Sequence, residues 1–278
     1  MEQSPGQIKL TMEKYINDLC LEYKISTNRR VPANSDLFEI DKTLPLLPDE
    51  NRKHLHTGIA KLLFLACRVR PDILCPVIFL CRRVKYATEQ DYFKFANVLK
   101  YLHATSKLGL ILGGDSNGVL HLQVYADAAH AVNDNSASQT GIYATLGRGA
   151  TFAKSMAQNY IARASYDAEA YAMSDAIPTG IWVQDFMTEL GYGDEVNPGT
   201  LMKDNMSLIH SIKRGETSSA SQRHIRIRTM FTRQFIESGK FELVHCKTKA
   251  MIADILTKPL QGELFETLRD LILGYSMP

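Results

Sequence analysis

The sequence predicts an α/β chain in two parts: a small α-rich region, then five strands interleaved with helices. Three observations predict it. In the first part, apolar residues recur at three-four spacing in separate stretches, the stripe of a helix that buries one face. From residue 119 the period changes to two: Leu120, Leu122 and Val124 alternate with His121 and Gln123, as on a strand with one buried face. Between the two parts lies Gly113-Gly114-Asp115-Ser116-Asn117-Gly118, a turn-forming cluster that divides the chain into residues 1–115 and 116–278.

Composition supports a packed core. Of 278 residues, 45% are hydrophobic and 22% charged, which excludes disorder as the state of the whole chain. The net charge of +2 does not announce a polyanion partner, so local charge matters more than the total. The five cysteines (Cys20, Cys67, Cys75, Cys81, Cys246) contain no Cys-x-x-Cys pair; they are expected to be reduced thiols of a cytosolic or nuclear protein, not a zinc site. No apolar run is long enough to cross a membrane, and residues 1–6 lack the features of a signal peptide, so the expectation is an intracellular soluble chain with no membrane partner.

Taken in order, residues 7–10 alternate like a short strand leading into a helix carrying Met12, Tyr15, Ile16, Leu19, Cys20 and Tyr23 on one face. Residues 26–50, with Pro32, Pro45 and Pro48, form an irregular connector. A second helix is expected over 49–69. Residues 72–84 are apolar enough to require burial, with Pro76 as a cap or kink. A third helix starts at Thr88, whose hydroxyl forms a capping box with Asp91. In the second part, strands over 119–129, 140–146 and 150–156 have connections too short for crossovers and so form an antiparallel meander. A helix from about 165 is expected to break or kink at Pro178-Thr179-Gly180 and to resume through Trp182. Residues 200–205 read as a strand and 207–212 as a helix. Then come a basic stretch with a helix over about 221–238, a strand over 241–246, a helix over 250–258 and a closing helix over 264–273.

Four acids punctuate this order: Asp127 on the first strand of the meander, Glu169 one turn into the following helix, Asp204 at the end of the next strand, and Asp254 after the last. A carboxylate at the end of a buried strand is costly unless it is solvated, paired or bound to a cation. Each acid alone has an ordinary explanation as a solvated or ion-paired residue. Four carboxylates gathered at one place would repel one another and would require neutralisation by a cation.

In these features the chain resembles the C-terminal part of a copia-type retrotransposon Pol polyprotein: the end of the reverse transcriptase followed by its ribonuclease H domain. The residues that carry the resemblance are Tyr125-Ala126-Asp127-Ala128, Ser165-Tyr166-Asp167-Ala168-Glu169, Lys203-Asp204-Asn205, Arg223-His224-Ile225 and Ala253-Asp254-Ile255-Leu256-Thr257-Lys258. Trp182 and Glu189-Leu190-Gly191 add to it. So, in the first part, do residues 8–21, Ala60-Lys61-Leu62-Leu63 and Val98-Leu99-Lys100-Tyr101-Leu102.

The resemblance implies a ribonuclease H-like mixed five-stranded sheet with flanking helices, preceded by a thumb- or connection-like α-rich region. It implies hydrolysis of the RNA strand of an RNA–DNA hybrid, with Asp127, Glu169, Asp204 and Asp254 as catalytic metal ligands. Hard oxygen donors suit Mg²⁺ or Mn²⁺, and two such ions about 3.5–4 Å apart would serve attacking and leaving oxygens. Ser138, Thr140 and Asn205 are candidates for contact with the hybrid backbone. Arg223, His224 and Arg228, in the basic stretch 213–233, are candidates for phosphate contact.

The chain also departs from the family. Tyr166 stands where a small hydroxyl residue is preferred and Arg226 where an acid is usual. The loop Lys247-Thr248-Lys249 lacks the histidine that many ribonucleases H carry there. No Tyr-x-Asp-Asp motif and no polymerase fingers or palm are present, so the expectation is a piece of a larger polyprotein, with those parts as a partner, or a decayed element. The alternatives to a nuclease are a folded relic that at most binds nucleic acid, and another nuclease or integrase on the same fold.

Overall fold

The computed structural model describes residues 1–215 and 223–278. The expected basic segment therefore falls partly outside the described residues, over 216–222.

The first part opens with two short strands, β1 (Glu2–Ser4) and β2 (Gln7–Leu10), followed by α1 (Glu13–Glu22), α2 (Asp49–Arg68), α3 (Leu74–Arg83) and α4 (Glu89–Ala104). Pro76 lies in the first turn of α3, where its missing N–H is not needed. The carboxylate of Asp91 accepts both the N–H and the hydroxyl of Thr88, closing the α4 N-terminus as expected. A strand not foreseen, β3 (Leu110–Gly113), pairs antiparallel with β2, so this part carries a three-stranded sheet beside its helices.

The second part contains β4 (Gln123–Ala129), β5 (Gln139–Thr145), β6 (Phe152–Ala157), α5 (Ser165–Glu189), α6 (Gly193–Val196), β7 (Gly199–Lys203), α7 (Met206–Arg214), α8 (Arg223–Glu237), β8 (Phe241–His245) and α9 (Gly262–Ile272). Its five-stranded sheet has the order β6-β5-β4-β7-β8. The meander β4-β5-β6 is antiparallel, while β7 and β8 join it parallel, after helical crossovers. This is the mixed α/β sheet expected.

Alternation along β4 sets the two faces. Val124, Ala126 and Ala128 point into a core shared with α5, α7 and α8, built from Ala168, Ala172, Met173, Ile177, Leu208 and Ile225 among others. Tyr125 and, on β5, Tyr143 point to the opposite side. There they join a second core with Ile252, Leu256, Phe265 and Leu268, continuous with the helices of the first part. The closing helix α9 thus seals the sheet against the N-terminal region, which explains why Phe265 packs edge-on to Tyr101 at 5.6 Å between ring centroids.

Two expectations are corrected. The helix that carries Glu169 runs unbroken from Ser165 to Glu189 through Pro178. Pro178 lies on the exposed side, whereas Ala176, Ile177, Gly180 and Val183 continue the buried side. Burial against the sheet outweighs one lost backbone hydrogen bond. Gly180 is needed here because a Cβ would stand 2.7 Å from the Phe241 ring. The segment expected as a helix over 250–258 is instead a pair of 3₁₀ turns, Thr248–Ala250 and Ile252–Leu256. Its side chains from Met251 to Leu256 are all buried, so the tighter turn serves packing against the sheet.

Among the described residues no helix is long and apolar enough to cross a membrane. All five cysteines are free thiols.

Candidate metal centre at the carboxyl ends of the parallel strands

The site forms where the sheet changes direction. β4 pairs with β7 only from Gln123 to Tyr125, and beyond that point the two strands part. Asp127 lies two residues past the last pair, still held on its other side by the register with Gly141 of β5. Asp204 follows the last residue of β7, and Glu169 enters from the second turn of α5. The outcome is one oxygen each from Asp127, Glu169 and Asp204, all within 4.8 Å of one another. A crevice at the carboxyl ends of parallel strands, at the point where strand order reverses, is where open α/β sheets bind ligands.

Asp254 completes the group from the other side. It sits in the 252–256 turn, buried, next to Asp127, and its carboxylate pairs with Lys258 Nζ at 2.7 Å. Lys258 Nζ also lies 3.3 Å from Asp127 Oδ2, and Thr257 Oγ1 donates to that same oxygen at 2.6 Å. On the opposite flank, Lys203 Nζ lies 2.5 Å from Glu169, 3.3 Å from Asp204 and 4.0 Å from Asp127. Two ammonium groups therefore face four acids, leaving two negative charges in excess when all four are ionised.

The electrostatics follow from this crowding. Burial drives the Glu169 carboxyl up to about 7; Lys203 opposes the rise and Asp127 adds to it. Burial and the neighbouring Asp127 carry Asp254 up to about 7 against the pull of Lys258. Asp127 itself is held below the ordinary carboxylate range. Burial would raise it, but Lys258, Lys203 and the Thr257 hydroxyl outweigh burial.

The donor set fits a hard divalent ion. It consists of carboxylate oxygens alone, and the buried Asp204 Oδ1 accepts no hydrogen bond, with Lys203 Nζ 3.3 Å away as its ion-pair partner. Asp127, Glu169 and Asp204 are the residues that would hold such an ion, with Asp127 and Asp254 offering a second, adjacent pair.

One expectation follows from the ionisation. Because Glu169 and Asp254 titrate above the ordinary acid range, the stability tied to their protonated forms is complete below about pH 4. It is lost as the pH rises through about 7. Asp127, shifted down, is ionised throughout the upper part of that window. The metal-free chain is therefore expected to melt at a lower temperature near pH 8 than near pH 6, with added Mg²⁺ narrowing the gap. Calorimetric scans at the two pH values, with EDTA or with Mg²⁺, check this. Thr257→Val is expected to cost about 1 kcal/mol in urea denaturation, because the buried Asp127 oxygen loses its donor.

The candidate nucleic-acid contacts are spread differently. Ser138 and Thr140 are fully buried; the Ser138 hydroxyl accepts from the Ala131 N–H and the Thr140 hydroxyl from Gln158. Asn205 caps α7 by accepting the Leu208 N–H, which orients the loop that carries Asp204. His224 packs edge-on to Tyr160 at 4.6 Å, and Arg228 lies over the Tyr171 ring at 3.7 Å while pairing with Asp175 at 2.6 Å. These two residues hold α8 on α5. Arg223 is exposed, together with Arg226, Lys213 and Arg214.

Lys203, Thr257 and Lys258 escaped the sequence reading as site residues. A signal for Lys203 was present: Gly199, Leu201 and Lys203 share one phase of β7, the buried one, and a lysine in that phase requires a buried anion.

A mixed sheet in this order, with acids converging where the parallel strands part, is a ribonuclease H-like α/β fold. Its homologues are copia-type Pol polyproteins of plant and yeast transposons. The chain is 28% identical over 267 residues to the retrovirus-related Pol polyprotein from transposon RE1 of Arabidopsis thaliana, covering 94% of this chain and 18% of the relative. It is 24% identical over 277 residues to that from transposon TNT 1-94 of Nicotiana tabacum, covering 98% and 20%. The transposon Ty1-NL2 Gag-Pol polyprotein of Saccharomyces cerevisiae is 23% identical, covering 96% and 16%. The chain thus spans about one-fifth of the length of these curated relatives. No protein-family model matches the chain.

Among solved structures, RNase H1 from the archaeon Halobacterium salinarum NRC-1 superposes with a TM-score of 0.37 at 14% identity, over 49% of this chain and 94% of that one. A foamy viral protease-reverse transcriptase in complex with RNA/DNA hybrid gives 0.44 at 13%, over 85% and 27%.

Proposed function

We propose that this chain is the ribonuclease H part of a copia-type Pol polyprotein, preceded by the end of its reverse transcriptase, and that it hydrolyses the RNA strand of RNA–DNA hybrids with Mg²⁺ or Mn²⁺. The observation that carries the proposal is the convergence of Asp127, Glu169 and Asp204 from three separate elements, with Asp254 beside Asp127. Such a cluster costs stability unless a cation repays it, and the homology of the chain to Pol polyproteins gives that cation a task.

In this reading Asp127 is the shared ligand, between Glu169 and Asp204 on one flank and Asp254 on the other. Thr257 fixes its orientation through the hydrogen bond to Oδ2. Asp127, Glu169, Asp204 and Asp254 would hold divalent ions, whose chemistry when bound would be activation of a water and stabilisation of the leaving oxygen. Asn205 holds the β7-to-α7 turn so that the Asp204 carboxylate faces the cluster. Lys258, whose side chain is 38% exposed, is free to move toward solvent as the acids take up metal. The exposed Arg223, Arg226, Lys213 and Arg214 supply phosphate contacts on the side of α7 and α8. Discrimination of RNA from DNA rests on contacts to the 2′-hydroxyl.

The rival is a relic that binds a hybrid without cutting it. A break in α5 would favour the relic by displacing Glu169, whereas α5 is continuous and Glu169 lies in the cluster. The test is incubation of the purified chain with a hybrid labelled on either strand. Loss of the RNA strand alone, dependent on Mg²⁺ or Mn²⁺, is the expected result; a bound but intact hybrid decides for the relic.

A further inference from the structure

The two lysines at the acidic cluster are not equivalent. Lys258 reaches Asp127 and Asp254 from a side chain that is 38% exposed, so it can withdraw into solvent when another cation arrives. Lys203 has no such exit. Its side chain is 0% exposed, and its Nζ donates to the main-chain oxygen of Ala126 at 2.9 Å and to Glu169 at 2.5 Å. It stands in the buried phase of β7, under α5, with Leu201 of the same phase packed in the core. The charged groups that face it are Glu169 from α5, Asp127 from β4 and Asp204 from its own strand end. These are the same three carboxylates whose oxygens lie within 4.8 Å of one another.

We propose that Lys203 is a built-in occupant of the metal site, an intramolecular cation that competes with the divalent ion of Asp127, Glu169 and Asp204 and sets the site to low metal affinity. The inference rests on reading those acids as metal ligands. Its physical basis is charge and space. An ammonium 2.5–4.0 Å from all three acids already supplies much of the neutralisation that an ion would. An arriving divalent ion therefore meets a like charge that cannot leave without disturbing the contact of α5 with the sheet. The arrangement also explains how these three acids coexist in a folded chain before any ion is bound.

The test is calorimetric titration of the full chain with MnCl₂, wild type beside Lys203→Gln. The expected result is binding at least about tenfold tighter in the variant, because a positive charge within contact distance of the ion has been removed. Equal affinity and equal stoichiometry in the two chains overturn the proposal, as does an absence of Mn²⁺ binding in both. Should Lys203→Gln fail to fold, the wild type alone decides. Its melting temperature is expected to differ little between EDTA and micromolar Mn²⁺, and a clear rise at micromolar Mn²⁺ overturns the proposal. Hybrid cleavage in the same samples keeps the two readings apart. Tighter Mn²⁺ binding by the variant without cleavage by either chain sustains the role of Lys203 and counts against the nuclease. Cleavage by a wild type that binds Mn²⁺ as tightly as the variant does the reverse.

Discussion

Asp127→Asn is expected to reduce metal-dependent cleavage of an RNA–DNA hybrid by more than about a hundredfold, since a shared ligand matters more than the outer-shell partners whose loss costs 10–100-fold. The reason lies in position. Among the described residues, Asp127 is the acid that faces both Glu169 and Asp204 on one flank and Asp254 on the other. An amide at this place keeps the shape of the side chain and loses the charge. Its oxygen still accepts from Thr257, so the 252–256 turn stays seated. The variant should therefore fold, which circular dichroism checks, while single-turnover cleavage falls. A variant that folds and cuts at the wild-type rate would remove Asp127 from the chemistry.

The second large effect concerns a residue with no side chain. Gly141→Ala is expected to destabilise the chain by about 1–3 kcal/mol and to lower cleavage with it. Gly141 is the β5 partner of Asp127 in the ladder. A Cβ at Gly141 would stand 2.7 Å from the Ala253 main-chain oxygen, 2.8 Å from Leu256 Cβ and 2.8 Å from Thr257 Cγ2. Two of these three atoms belong to the backbone or its first carbon and cannot rotate away. The turn that carries Asp254 and Thr257 must lift from the sheet, taking one acid and the hydroxyl donor of Asp127 with it. Urea denaturation gives the first quantity and hybrid cleavage at matched folded fraction gives the second. Wild-type stability and activity together would mean that the turn is not held where this contact puts it.

Much of this was legible in the sequence for a physical reason: local chemistry dictated it. The Thr88-Asp91 cap, the three-four apolar stripes and the short turns of the meander are all decided within a few residues, and the structure follows them. Asp127, Asp204 and Glu169 were visible because they sit in or just past a strand or one turn into a helix, and Asp254 because it follows the last strand. What escaped depends on distant partners. β3 is a strand because β2, about a hundred residues earlier, pairs with it. Pro178 reads locally as a break, yet the helix continues because its inner side is buried against the sheet and Phe241. The 250–258 segment has a helical pattern but is compressed into 3₁₀ turns against β5. The hydroxyls of Ser138 and Thr140, attractive as backbone contacts on an open strand, are spent inside the fold. The strand period puts Lys203 in the buried phase of β7, but the acids that receive its charge come from β4 and α5, distant in sequence.

The ends of the RNA products decide whether these acids use metal to hydrolyse RNA in a hybrid. Wild-type chain with Mn²⁺ is expected to yield RNA fragments with 5′-phosphate and 3′-hydroxyl ends, and Asp204→Asn prepared in parallel is expected to yield none. Fragments that end in a 3′-phosphate, or equal cutting by the Asp204→Asn chain, would contradict it.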